Sequence, residues 1–261
     1  MKTPLKQAAD APEKELPALR EQLYQQLLRR DKMLYVEGWQ LERAYLKLFS
    51  LKECTVYELH TRLLMLRRRA ELAQNGLSRA AAEAALNAEF AERRQLWLAK
   101  MRYRNAVLED NSSYCLTADR FRQLHLAYAK AVSLLHPDLY PSADENQLAQ
   151  MQEITLAYCK HNLPLLSLKL ELALLSPAPA YNITDAEAER TRLLAALEKN
   201  RRVTEHLNNT YPYTLRPLLF DNSACTARLN RLEELIAYLH KQINALPASS
   251  KANTADKTAA E

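Results

Sequence analysis

Leu124–Tyr158 reads LHLAYAKAVSLLHPDLYPSADENQLAQMQEITLAY, and its punctuation decides the local fold. Thr117, just upstream, is placed to cap a helix whose apolar stripe is Phe121, Leu124, Tyr128, Val132 and Leu135, at three- and four-residue spacing. Pro137 stops that helix, because a proline disfavours α geometry in the residue before it. A tight loop, HPDLYP, follows at 136–141. Ser142 with Glu145 has the spacing of a capping box and predicts a second helix with Leu148, Met151, Ile154, Ala157 and Tyr158 on one face. The short loop makes the two helices antiparallel neighbours.

The rest of the chain extends this pattern. Of 261 residues 48% are hydrophobic and only two, Gly38 and Gly76, are glycine, while Ala, Leu, Glu, Gln, Lys and Arg dominate long stretches. These are the strongest helix formers, so the fold class is all-α. Leu19, Leu23 and Leu27, then Leu41, Tyr45 and Leu48, predict helix from about Glu15 to Leu51, with a break at Gly38. Thr55 and Glu58 read as a capping box opening a second helix, which Asn75-Gly76 ends, and Ser78 opens a third to about Leu108. Residues 163–175 have a helical composition, Thr184 with Glu187 predicts a helix to about Asn209, and a last helix spans about 223–245. The domains expected are a disordered tail at 1–13, a helical region with coiled-coil character at 14–110 and a hairpin domain at 111–176. A linker at 177–183, a C-terminal helical region at 184–246 and a second disordered tail at 247–261 complete the chain.

Composition also excludes functions. Two glycines cannot build the phosphate-cradling loops of nucleotide folds, which need positive φ and close backbone approach. A net charge of +5 spread over both signs is mild beside that of dedicated nucleic-acid binders. Cys54, Cys115, Cys159 and Cys225 form no CxxC pair, which argues against a disulfide framework or zinc site and for reducing cytosol. No apolar run is long enough for a membrane span or shaped as a signal peptide. Arg62 and Arg67–Arg69 form a basic run without aromatic interleaving and read as a solvated helix face. His60, His161, His206 and His240 are isolated, and no catalytic constellation, metal site or cofactor motif is found.

The central hairpin resembles the J domain of the DnaJ family. LHLAYAKAVSLLHPD is similar to the family's IKKAYRKLALKYHPD, with Tyr128 and Lys130 eight and six residues before His136, and MQEITLAY at 151–158 is similar to FKEINEAY. The resemblance covers roughly residues 117–175 and implies a hairpin core of Leu124, Tyr128, Met151, Ile154 and Tyr158. It implies a co-chaperone that binds a DnaK-type heat-shock ATPase through His136, Pro137 and Asp138, with Arg122, His125 and Lys130 as the basic docking face, and an unidentified client. The sequence departs from the family in a thinner basic face, with Ala129 and Leu134 where basic residues are usual, and in lacking Gly/Phe and zinc-repeat flanks. The alternative reading is a helical adaptor whose J-like hairpin only packs.

Physical chemistry adds three expectations. The helix dipole should favour protonated His136 at the helix C-terminus, and Asp138 should be free to pair with an incoming arginine. The loop side chains should be exposed. The resemblance implies a fourth, that Val107 and Leu108, at the end of the helix upstream, take the place of the family's short first helix and brace the hairpin.

Overall fold

The computed structural model describes residues 5–109, 117–177 and 181–247, with side chains from residue 14 onward. The tails at 1–4 and 248–261, Cys115, and residues 178–180 of the expected linker lie outside these. Every regular element among the described residues is helical.

The first elements are α1 (Leu5–Lys32), a π-helical turn (Met33–Glu37), α2 (Gly38–Tyr45), a second π turn (Leu46–Ser50) and α3 (Leu51–Gln74), each beginning where the last ends. Helix thus starts ahead of Glu15, inside the expected tail. Gly38 does not break it, having helical φ −56° and ψ −46°. Its lack of a side chain serves packing, since a Cβ there would lie 3.3 Å from the Met33 carbonyl oxygen and 3.4 Å from Pro212. That same carbonyl accepts from the Tyr213 hydroxyl at 2.8 Å. Thr55 caps nothing; its hydroxyl donates back to the Leu51 carbonyl at 3.0 Å within α3.

Caps elsewhere follow local chemistry with small shifts. Ser78 and Thr117 cap as expected. The expected long third helix divides at Phe90 into α4 (Arg79–Glu89) and α5 (Ala91–Glu109), and the turn buries the Phe90 ring. The hairpin is α6 (Ala118–Leu135) and α7 (Glu145–Cys159). Its capping box is Asp144 with Gln147, displacing Ser142 with Glu145, because the Asp144 carboxylate accepts from the Gln147 N–H at 2.8 Å and the Gln147 side chain accepts from the Asp144 N–H at 2.9 Å. Then come α8 (Leu163–Leu175) and α9 (Ala186–Asn208), the latter capped by Asp185 where Thr184 was expected. Last are α10 (Arg216–Phe220) and α11 (Asn222–Ala245).

The chain forms two compact units, each made from two stretches, where the sequence divides it into consecutive segments. The first comprises Met1–Leu41 with Asp110–Thr214. Within it α1 runs against α9, α6, α7 and α8 pack on one another, and α1 also meets α6. Their shared core includes Leu23, Leu27, Leu124, Tyr128, Ile154, Tyr158, Leu166 and Leu193. The second unit comprises Glu42–Glu109 with Leu215–Glu261. There α3 packs on α11 through Leu59, Leu63, Leu66, Leu239 and Ile243, and on α4 through Leu72, Ala82, Leu86 and Phe90.

Val107 and Leu108 belong to the second unit, where their carbonyls accept from Arg43 at 3.1 and 3.2 Å. Within the first unit α1 and α8 pack on the hairpin. Both helices carry leucine stripes that need cover, Leu16, Leu23 and Leu27 on α1 and Leu166 and Leu170 on α8.

Candidate functional site

The site is the loop between α6 and α7 and what covers it. α6 ends at Leu135 and His136 is its extended C-cap, as Pro137 demands, with the His136 N–H bonded to the Val132 carbonyl at 3.1 Å. The His136 carbonyl then accepts from both Leu139 and Tyr140 N–H groups, at 2.9 and 3.0 Å, which folds the loop tightly. Pro137 is exposed and the Asp138 side chain is 25% exposed, but His136 is only 7% exposed. The expectation of an exposed loop is corrected at His136, which helices remote in sequence cover.

Arg30 of α1 is the covering group. Its guanidinium is held by the Asp31 carboxylate at 2.7 Å and the Asn200 side-chain carbonyl of α9 at 2.7 Å. From there it reaches His136 Nε2 at 3.3 Å and the Asp138 carboxylate at 4.0 Å. Two further arginines bind the loop backbone. Arg192 donates to the Asp138 carbonyl at 2.8 Å and Arg20 to the Leu139 carbonyl at 2.7 Å. Three arginines of the same unit thus surround the loop.

Burial first, and then the Arg30 charge, hold His136 below its usual value near 6.5, against the opposing pull of Asp138 and Asp31. Geometry agrees, because Nδ1 faces the Asp138 N–H at 3.1 Å while Nε2 faces Arg30, so an imidazolium would present a donor to a donor on both sides. This reverses the expectation from the helix dipole: desolvation outweighs it. A depressed native value means that the unfolded chain binds the proton first as pH falls, so this stability is full above about pH 6.5 and is lost below it. The urea midpoint should fall between about pH 7 and pH 5, and the fall should shrink in His136→Gln. An identical pH profile for the variant would refute this.

Beneath the loop, Asp31 is 1% exposed and accepts from the Tyr128 hydroxyl at 2.8 Å. The Tyr128 and Tyr158 rings stack at 3.9 Å. Leu124, Tyr128, Met151, Ile154 and Tyr158 are all buried. Of the expected docking face, Arg122 and Lys130 are exposed on α6, but His125 turns inward, its Nδ1 lying 3.0 Å from the Tyr158 hydroxyl. Burial, with Lys32 nearby, lowers its proton affinity too, against the opposing pull of Glu37.

Among the described residues no cluster of acidic, histidine and cysteine groups could hold a metal ion, and no helix is long and apolar enough to cross a membrane. No family model, curated protein or solved structure matches the chain. The J-type resemblance rests on the residues of the hairpin alone.

Proposed function

We propose that this chain is a helical adaptor in which the J-like hairpin is a packing element, its His-Pro-Asp loop closed by arginines of the same chain. One observation carries the reading: Arg30 lies between His136 and Asp138, held in place by Asp31 and Asn200. A loop kept for docking needs its acceptor groups open to the partner. Here the Asp138 and Leu139 carbonyls are also taken, by Arg192 and Arg20. The thin basic face, reduced to Arg122 and Lys130 among the expected residues, supports the same reading.

A second reading has two observations in its favour. The Arg30 to Asp138 approach is 4.0 Å, long for a charge-assisted bond, and Pro137 stays exposed. In that reading the hairpin is a masked co-chaperone domain, and a DnaK-type ATPase displaces Arg30. A coupled ATPase assay with the DnaK-type chaperone of the same organism separates the two. The adaptor reading expects no stimulation from the wild type, from Asp138→Asn or from Arg30→Lys, which keeps the charge but loses the fork. Wild-type stimulation that Asp138→Asn abolishes overturns it, and stimulation from Arg30→Lys alone selects the masked co-chaperone.

A further inference from the structure

The second unit holds a cavity of about 280 Å³ between α3 and α5, remote in sequence from the loop. Its apolar wall comes from Tyr57 and Met65 of α3 and Trp97 of α5. The rim is basic, and two pairs of arginines build it from different helices: Arg62 and Arg69 from α3, Arg93 and Arg94 from α5. The basic run read as a solvated face thus divides. Arg67 is exposed and Arg68 pairs with Glu71 and Glu89, while Arg62 and Arg69 meet the α5 arginines across the cavity.

The partners of these groups differ. Arg69 has Glu83 at 2.7 Å, and Glu58 is the carboxylate in the lining. Among the described residues Arg93 and Arg94 have no carboxylate partner: Arg93 donates to the Thr61 hydroxyl at 3.3 Å and lies 3.4 Å from the His60 Nδ1, and Arg94 donates to the Asn87 side-chain and main-chain carbonyls at 2.7 and 3.5 Å. Arg93 and Lys100 both lie over the Tyr57 ring, at 5.2 and 5.0 Å. Trp97 adds a buried indole N–H with no acceptor among the described residues. Arginines on neutral partners beside an unmatched donor leave a demand for anionic oxygen, because charge-assisted bonds to guanidinium are the strong ones.

We propose that this cavity binds a small anion carrying one flat apolar ring, of the aryl phosphate or aryl carboxylate class. The ring would pack against Tyr57, Met65 and Trp97, and the anionic oxygens would face Arg93 and Arg94. The size fits one ring with one anionic group, as the volume falls just under the roughly 300–1,000 Å³ of drug-sized sites. This site is independent of the closed loop.

The test uses the full chain carrying Trp39→Phe, which leaves Trp97 as its single tryptophan fluorophore. Titration with phenyl phosphate should give a saturable change in Trp97 emission with a dissociation constant below about 1 mM. Inorganic phosphate and phenol should each bind at least about ten-fold more weakly, since each supplies one half of the recognition. Arg94→Gln, an exposed change, should weaken phenyl phosphate at least about ten-fold with an unchanged melting curve, and Arg93→Gln should do the same. No saturable change, equal binding of inorganic phosphate, or undiminished binding by both variants would overturn the proposal.

Discussion

Arg30→Ala should lower the unfolding free energy of the chain by about 3–5 kcal/mol, the cost of removing one partner from a buried ion pair. The magnitude follows from what it abandons. Asp31, with its side chain only 2% exposed, would keep the Tyr128 hydroxyl but lose its counter-charge, and the Asn200 carbonyl would lose its donor. A buried pair is not worth much against an apolar substitute, so the double variant Arg30→Met with Asp31→Leu should recover a large part of the loss. Equilibrium urea unfolding checks both, and a loss below about 0.5 kcal/mol for Arg30→Ala would place the pair among ordinary surface contacts.

Ile154→Ala should cost roughly 2–5 kcal/mol, the range for truncating a large aliphatic side chain in a core. Ile154 is fully buried in the cluster that α6, α7 and α8 share with α1 and α9. Because helices from both stretches of the first unit line this cluster, the cavity has little freedom to collapse. The change should appear in the urea midpoint with an unaltered slope, and an unchanged midpoint would mean that the hairpin core does not hold the unit together.

The hairpin was legible because its signals are local. Thr117, Pro137 and the apolar stripes act within a turn or two of their own positions, and the structure ends α6 at Leu135 and starts α7 at Glu145 accordingly. The Ser142 and Thr184 caps were misplaced by only one or two residues, because Asp144 and Asp185 compete for the same N–H groups with a charged acceptor. What closes the loop was not legible in the same way. Arg30 meets His136 across 106 residues of sequence, and no local rule pairs them. A trace existed nonetheless. Asp31 stands four residues after Leu27 on the inner stripe of α1, and Asn200 stands seven and three after Leu193 and Leu197 on α9. Polar residues in register with an apolar face are buried partners of something. His125 misled for the converse reason: its place beside Leu124 left the face ambiguous, and the stacked tyrosines drew it inward.

Whether the loop is a packing element is tested most directly by the unfolding free energy of His136→Ala at neutral pH. The closed loop predicts a loss of about 1–3 kcal/mol, because the substitution removes a buried ring and leaves the Asp138 N–H without its acceptor. A change within about 0.5 kcal/mol, the range of exposed positions, would contradict it and return the loop to the solvent-facing role of a docking site.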